Sequence, residues 1–327
     1  LPYDCAVANT FYRQDVFEAN TKDFEAEYGY RMEFTTDTTW KNVLDYSTFL
    51  KKLRESGKDV PYGYAQHHGS FAWTTQLDIQ RMMFAHGRWL DWEIDDKLGS
   101  KTPPPSNWGD EQSVLLMQKH KDIADVCHPD NLANGTLELN TVYQAGDIAM
   151  QVQYHEFCAS VEDPGTSKAA GGKTAYAACP KGEPSWIVNG GPAVNGTNCG
   201  IGGIGINGNA SEDVQRAAYI FCVYATSGDL QYDVLKGMGG TPTRKSVLER
   251  ADVKAARNRP TTMPNALTFD AVYDHGIRDP HFVLGPKVPE GNEYHSIIAT
   301  EVQRCIAGET SAEDTCNNIK SQIDDLH

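Results

Sequence analysis

Short apolar segments typical of strands alternate along this sequence with amphipathic segments typical of helices. Apolar residues at helical spacing begin at Trp40, and Gly57 follows the basic last turn as a stop. Residues 62–65 (Tyr-Gly-Tyr-Ala) and 147–152 (Asp-Ile-Ala-Met-Gln-Val) are typical of strands, and a third strand is predicted over residues 202–206. Strands that alternate with helices predict an α/β fold.

Length and charge exclude several classes of protein. The chain has 327 residues, enough for one large domain or two lobes, and 40% of them are hydrophobic, which excludes a disordered chain. The formal net charge of −15 argues against nucleic acid or an anionic membrane surface as partner, because both require clustered Lys and Arg. No apolar run reaches the roughly 18–20 residues of a membrane-spanning helix.

The clearest helical pattern begins after Ser211, a preferred N-cap residue, which is followed by Glu212 and Asp213. Five apolar residues of this helix form one stripe: Val214, Ala217, Ala218, Phe221 and Cys222. The C-terminal part predicts a helical hairpin, in which Gly308 ends the first helix and residues 311–314 form an approximate capping box for the second.

The cysteine spacing is typical of disulfides in an oxidising compartment. None of the eight cysteines forms a CxxC pair, and no histidine lies at zinc-finger spacing, so a structural zinc site is poorly supported. Two local bridges are predicted, Cys179–Cys199 around a Gly/Pro/Asn-rich loop and Cys305–Cys316 around the helical turn. Cys222 is as readily a buried free thiol, and the remaining cysteines stay unassigned.

Common catalytic motifs are absent from the sequence. It contains no GxSxG elbow, no Walker lysine loop, no HExxH and no kinase motifs. Residues 200–205 are glycine-rich, but a predicted strand rather than a helix follows them, so they do not form a dinucleotide fingerprint. A glycosidase-like pair of catalytic carboxylates stays an open alternative, because the distance between two carboxylates in space decides whether they can form such a pair.

Polar and aromatic residues follow two of the predicted strands. His67 and His68 come after the first strand, and they have two interpretations: ligand contact, or one solvated and one packed side chain. Tyr154 and His155 follow the second strand, where strand ends commonly open onto a cleft. An aromatic ring there could stack on a sugar, or it could pack in the core.

Five short motifs occur in a fixed order along residues 1–248. Residues 1–4 and 11–18 are similar to "VPYD…YYNKDLFE", and residues 38–44 to "PxTWDEL". Residues 143–150 are similar to "FxxGKvAM", residues 202–206 to "GGxGlaI" and residues 239–248 to "GGxPxRkSvL". Together these motifs resemble the extracellular solute-binding proteins of ABC importers, in particular the carbohydrate-type, maltose-binding-protein-like family.

The resemblance implies the periplasmic-binding-protein type II fold, in which two lobes joined by a hinge enclose a ligand cleft. Residues 1–9 and 201–254 would form the remainder of lobe 1 with the hinge crossings. Residues 10–200 and 255–327 would form a discontinuous lobe 2. Members of the family begin with a further segment ahead of the "VPYD" motif, so we expect lobe 1 to be incomplete in this chain.

The resemblance also implies a set of ligand-contacting residues. Asp4 would accept hydrogen bonds from hydroxyl groups, aromatic rings would stack on the ligand, and histidines would donate or accept. Arg244 would make a bidentate ligand contact or brace the lobe interface, and Gly202 and Gly203 would let the crossing strand bend at the hinge. The six predicted ligand residues are Asp4, His67, His68, Trp73, Tyr154 and Arg244.

The implied function is that of a monomeric, non-catalytic periplasmic or extracellular protein without cofactor or bound metal. It would capture a sugar, sugar alcohol or similar polyhydroxy compound by lobe closure and deliver it to the membrane permease, without inserting into the membrane itself. Two alternatives stay open. One is a metal- or cation-binding receptor of the same fold that uses His67, His68 and Tyr154, and the other is a secreted glycan-processing enzyme with paired carboxylates.

Overall fold

The first strand organises the sheet, because different parts of it pair with different partners. The structure is a computed structural model that describes residues 1–69, 72–75, 77–88, 107–277, 282–283 and 290–326. In it, β1 pairs antiparallel through its first half with β5 and through its second half with β3 and β4, while β2 joins β3 and β6 joins β5 in parallel. The strands are β1 (Pro2–Arg13), β2 (Tyr62–Tyr64), β3 (Ile148–Tyr154), β4 (Thr174–Ala177), β5 (Thr197–Gly203) and β6 (Phe282–Val283).

Helices surround this mixed sheet, which has the order β2-β3-β1-β5-β6 with β4 also on β1. Short 3₁₀ turns cover His155–Phe157 and Pro264–Thr268, and a π-helix covers Asp270–Ile277. The α-helices of the described residues are α1 (Gln14–Tyr28), α2 (Trp40–Glu55), α3 (Ala72–Thr75), α4 (Leu77–Ala85), α5 (Glu111–Ala124), α6 (Thr136–Ala145), α7 (Cys158–Glu162), α8 (Glu212–Ala225), α9 (Gly228–Met238), α10 (Lys245–Leu248), α11 (Ala251–Ala255), α12 (Gly291–Ile306) and α13 (Ala312–Asp324).

The helix predicted from Trp40 is confirmed, and its start has a local cause. Thr39 and Asn42 form a reciprocal capping box, in which the Asn42 Oδ1 atom accepts from the Thr39 backbone N–H at 2.7 Å. Trp40, Val43 and Leu50 are buried on one face of the helix. The strands predicted near residues 62–65 and 147–152 are confirmed as β2 and β3.

The strand predicted over residues 202–206 has the wrong bounds. Residues 202 and 203 belong to β5, but residues 204–206 lie outside it. Strand β5 begins at Thr197, where it pairs with β6, and its pairing with β1 ends at Gly203 opposite Pro2. Ile204 still donates its backbone N–H to the Leu1 carbonyl at 2.9 Å, but residues 204–206 do not continue the strand. The sheet register, which the local sequence does not contain, therefore decided this boundary.

Three clusters of buried apolar side chains form the core. The largest packs α1, α2, α4, α5, α12 and α13 against one side of the sheet, and the second packs α6 and α7 near β3. The third joins Leu235 of α9 and Val253 of α11 to Met263 and Phe269. The predicted lobe boundary between residues 254 and 255 falls inside this third cluster.

The predicted C-terminal hairpin is confirmed as α12 and α13. Gly308 ends the turn after α12 with a φ of 78°, and Ser311 Oγ accepts from the Asp314 backbone N–H at 3.0 Å. No helix in the described part of the chain has the length and apolar character needed to cross a membrane.

The apolar stripe of α8 is exposed over most of its length. Val214 and Phe221 are 56% and 60% exposed, whereas Cys222 is 2% exposed. Of the five residues in the stripe, only Cys222 is buried by the described part of the chain. Further large apolar side chains of α8 are exposed as well: Tyr219, Ile220, Val223 and Tyr224.

Candidate ligand-binding groove

A groove of about 850 Å³ opens beside the start of β1. Its walls come from β1, from α6, from the segment 156–166 that follows β3, and from the segment 225–242 that includes α9. Aromatic, amide, hydroxyl and carboxyl groups all face it, among them Tyr3, Asp4, Asn140, Glu156, Phe157 and Gln231. This mixture of a few polar groups with aromatic surface is typical of small-molecule sites.

Asp4 lies in the wall of this groove, where the loop before α10 holds it. Its carboxylate accepts hydrogen bonds from the backbone and hydroxyl groups of Thr241 and from the Cys5 backbone. The Thr241 hydroxyl in turn lies 2.9 Å from His155 Nε2, and the Val7 backbone N–H donates to His155 Nδ1 at 3.0 Å. These contacts fit a neutral His155 protonated at Nε2. The buried His155 thereby connects the end of β3, the strand β1 and the loop that positions Asp4.

The floor of the groove is a set of hydrogen-bonded amides. Asn140 of α6 donates from Nδ2 to Ser160 Oγ at 3.2 Å, and Gln144 donates from Nε2 to the Ser160 carbonyl at 3.0 Å. Behind Asn140, the buried Gln151 donates from Nε2 to Asn140 Oδ1 at 3.4 Å. These contacts fix the amide orientations before a ligand arrives, which lowers the entropic cost of binding.

Burial raises the pKa of both Asp4 and Glu156 at the groove. For Glu156 the charge of Asp4 raises the pKa further, so the two carboxylates are close enough to repel each other. No Lys, Arg or His among the described residues lines the groove. The electrostatic character of the groove is therefore acidic.

Tyr154 lies at the end of β3 and is only 9% exposed. Its hydroxyl accepts a hydrogen bond of 2.6 Å from Asn198 Nδ2 in β5, and Asn198 Oδ1 accepts from Arg81 Nε. The side chain thus belongs to a network beneath the sheet, and it is not part of the groove lining around Asp4.

His67 and His68 lie in the interior, each with 0% exposure. The Asp78 carboxylate accepts from the His67 backbone N–H at 2.9 Å and lies 3.3 Å from His67 Nδ1. His68 packs edge-on against His120 with a centroid distance of 4.9 Å. Neither ring is exposed to solvent, and neither lines the groove beside β1. Their adjacency in the sequence reflects a buried polar network.

Arg244 braces the chain near the groove and does not line it. Its Nε group donates to the Thr226 carbonyl, and its backbone N–H donates to Gln231 Oε1 at 3.1 Å. These contacts support the bracing role that the sequence left open. Trp73 lies in α3, but its side chain is outside the described residues.

All eight cysteines are free thiols in the structure. Cys179 donates to the Ala8 carbonyl at 3.3 Å, while burial and then the neighbouring Cys5 raise the pKa of Cys199 to about 11. The thiol neighbour of Cys199 is Cys5, and the bridges Cys179–Cys199 and Cys305–Cys316 stay predictions. Burial and then the charge of Cys305 raise the pKa of Cys316 to about 12, which places this predicted pair close together.

Several groove residues were missed by sequence reasoning. Asn140, Gln144 and Gln231 are single amides on helices and carry no motif. Glu156 follows Tyr154 and His155 directly, so its position after the end of β3 was the available signal. Within the described part of the chain, no group of three or more His, Cys, Asp or Glu side chains is placed to hold a metal ion.

Solved structures with the same overall fold confirm the predicted fold class. An ABC transporter solute-binding protein from Agrobacterium radiobacter K84, in complex with ribitol, is similar at a TM-score of 0.75 with 17% identity over 100% of this chain and 71% of its own. Maltose-bound MalE3 of T. maritima has a TM-score of 0.73 with 18% identity over 100% and 72% of the two chains. A solute-binding protein from Agrobacterium vitis S4 with bound D-mannitol has a TM-score of 0.69 with 19% identity over 99% and 72%. Fold and groove thus define a protein of the periplasmic-binding-protein type II class.

The family is shown by sequence. Residues 1–261 match the family described as bacterial extracellular solute-binding protein, which is most of the 327-residue chain. The chain belongs to this family, and the resemblance seen in its motifs is confirmed. A search of the curated proteins found no significant match.

Proposed function

We propose that this protein is the periplasmic substrate-binding component of an ABC importer for a sugar, sugar alcohol or similar polyhydroxy compound. The observation that carries the proposal is the groove beside β1, where amides and a carboxylate face the same space as two aromatic rings. Polyhydroxy compounds need such hydrogen-bonding groups for their hydroxyls and apolar surface for their C–H faces. The similar solved structures that hold ribitol, maltose and D-mannitol support the same ligand class.

Each part of the groove has a role in this proposal. The Asp4 carboxylate accepts hydrogen bonds from ligand hydroxyls, and the Gln144 amide both donates and accepts. The Gln231 amide acts as a donor, because its oxygen already accepts from the backbone N–H groups of Thr243 and Arg244. The Tyr3 ring, which is 47% exposed, and the Phe157 ring pack against the apolar face of the ligand. The groups around the groove therefore match the alternating polar and apolar surface of a polyol or pyranose.

Capture proceeds by lobe closure around β1. Strand β1 pairs first with β5 and then with β3 and β4. It therefore crosses between the two proposed lobes. One lobe is residues 1–9 with 201–254, and the other is residues 10–200 with 255–327. Gly202 and Gly203 lie opposite the first residues of β1 and form the proposed hinge. The closed, monomeric protein then delivers its ligand to the permease subunits, and no catalytic step is involved.

Calorimetric titration with ribitol, D-mannitol, D-tagatose and maltose tests the proposal. At least one of these ligands is expected to bind saturably, and Tyr3→Ala is expected to weaken that binding by about tenfold, because the ring covers one ligand face. Tyr219→Ala is the matched control, since Tyr219 is similarly exposed but lies on α8 away from this groove. Equal losses in both variants, or no binding of any sugar or polyol, would overturn the proposal.

A further inference from the structure

We propose that the groove is selective for aminated polyhydroxy compounds, such as amino sugars or amino polyols, over their neutral parents. This inference rests on the proposed function and specifies its ligand. It is carried by the carboxylates that line the groove, by the absence of any compensating cation among the described lining residues, and by the exposed Tyr3 ring in its wall.

All charged side chains that are described as lining the groove are carboxylates. They are Asp4 in β1, Glu156 after β3 and Asp163 after α7, and they converge from separate elements. The charge of Asp4 raises the pKa of Glu156, and a cation bound in the groove near these carboxylates would relieve that repulsion. A neutral sugar bound in the groove would leave this repulsion in place.

Several partly buried carboxylates elsewhere in the described part of the chain have a basic partner. Asp15 pairs with Arg13 at 2.7 Å, and Glu301 pairs with Arg304 at 3.1 Å. At Asp4 and Glu156, no lysine or arginine offsets the rise in pKa that burial causes. The described lining residues supply no counter-charge at the groove, and a cationic ligand would supply one.

An aminated ligand fits the carboxylates and the aromatic ring that line the groove. An ammonium group offers three donors and a positive charge at one point, whereas a hydroxyl offers a single donor and no charge. The nearby Tyr3 ring also provides a face that attracts cations.

A bare metal ion fits this groove less well than an ammonium group. Among the described side chains, no group of three or more His, Cys, Asp or Glu is placed to coordinate a metal, so the groove carboxylates alone would leave most coordination positions of a divalent ion open. The amide floor and aromatic wall would also have no use with a bare ion. An amine on a polyhydroxy skeleton uses the carboxylates, the amides and the rings together.

Matched pairs of ligands test this selectivity. Glucosamine with glucose, mannosamine with mannose and glucamine with sorbitol are titrated calorimetrically at about pH 6, where the amines are protonated. In at least one pair the amine is expected to bind about tenfold or more tightly than its neutral parent. In the double variant Asp4→Asn/Glu156→Gln this preference is expected to fall below about threefold.

The matched control removes the same number of charges away from the groove. Glu55→Gln/Asp59→Asn changes two exposed carboxylates that do not line it, and this variant is expected to keep the preference. Glu156→Gln alone, at an exposed side chain, is expected to reduce the preference by about threefold, so the test does not depend on folding of the Asp4 variant.

The outcomes separate this inference from the proposed function. Neutral sugars or polyols that bind as tightly as their amines overturn the selectivity and leave the proposed function standing. A preference that persists in both groove variants also overturns it, because the carboxylates would not be its cause. If no sugar or polyol binds in either form, both proposals fail.

Discussion

At the scale of single residues, a buried ionic network organises the interior beside the sheet. Asp78 and Arg81 of α4 are both fully buried, with 2.7 Å between Asp78 Oδ1 and Arg81 Nη1. Burial alone would raise the pKa of Asp78, but His67 and Arg81 hold it well below its usual value. Arg81 continues the network through Asn198 to the Tyr154 hydroxyl.

Removing the charge of Asp78 is expected to destabilise the protein strongly. In Asp78→Asn the Arg81 guanidinium stays buried without its carboxylate, and the expected loss in free energy of unfolding is about 3–5 kcal/mol. Urea-induced unfolding followed by circular dichroism measures this loss. The control Asp125→Asn removes an exposed carboxylate that pairs with Lys121 at 3.0 Å, and it should cost less than about 1 kcal/mol. A similar small effect in both variants would mean that the buried network contributes little.

The buried histidines beside Asp78 show what the local sequence does not determine. His67 and His68 were predicted ligand residues because they are polar and follow a strand. Whether such residues face solvent or an interior carboxylate depends on Asp78, which lies on a helix that only the fold brings over them. Asp4, a predicted ligand residue, lies in the groove wall, and its partner Thr241 lies 237 positions further along the chain.

At the scale of elements, the starts and the apolar faces of helices were more predictable than the burial of their side chains. The starts of α2 and α13 follow from local capping chemistry, which the sequence contains in full. The α8 pattern predicts an amphipathic helix correctly, yet its apolar residues Val214 and Phe221 are exposed. Periodicity indicates which face of a helix is apolar, but burial also requires an opposing surface.

The crossing of β1 and β5 gives a prediction at this scale. A Cβ atom at Gly202 would lie 2.8 Å from the Tyr3 ring, whereas one at Gly203 would meet no atom within 4 Å. Gly202→Ala is expected to turn the half-exposed Tyr3 ring out of the groove wall. Ligand binding should then weaken by about fivefold, while stability changes by less than about 1 kcal/mol.

Gly200→Ala is the matched control, because it makes the same change in the same strand at a position where the added Cβ atom meets only ordinary contacts at 3.9 Å or more. Titration with the sugar or polyol that binds the unmodified protein, together with a thermal melt, measures both quantities. Unchanged affinity in Gly202→Ala would show that the Tyr3 ring does not depend on the space left by this glycine.

At the scale of the whole molecule, the fold class was predictable and the groove was not. Alternating strand and helix patterns establish the α/β class, and the ordered motifs identify the family. The groove gathers β1, α6, α9 and the segment after β3, which are dispersed along more than 200 residues. Its assembly depends on the sheet order, because β1 places Asp4 between β5 and the end of β3.

Buried histidines make the stability of the whole molecule depend on pH. His68, His120 and His155 are fully buried, and burial lowers the pKa of His68 to about 3 and those of His120 and His155 to about 4. In the unfolded chain each histidine has a pKa of about 6.5. Between about pH 6.5 and pH 4 the unfolded chain therefore binds protons that the folded chain excludes, and stability rises with pH.

The expected slope in this window is about 1.4 kcal/mol per pH unit for each buried histidine, or about 4 kcal/mol for the three together. The raised pKa values of Asp4 and Glu156 act in the opposite sense, because these groups take up protons in the folded state first. Their contribution begins near their usual pKa values of about 4, whereas that of the three histidines extends up to about pH 6.5. The stabilisation is complete above about pH 6.5 and is lost as the pH falls towards the folded-state values.

Urea unfolding at a series of pH values between about 7.5 and 5 measures this slope. His120→Asn, which replaces one buried ring by a side chain that does not titrate, is expected to reduce the slope by about a third. The control Thr48→His adds a histidine at an exposed site of α2, where folded and unfolded pKa values should agree, and it is expected to leave the slope unchanged. A slope that His120→Asn does not alter would show that this ring gains a proton in the folded state as easily as in the unfolded one.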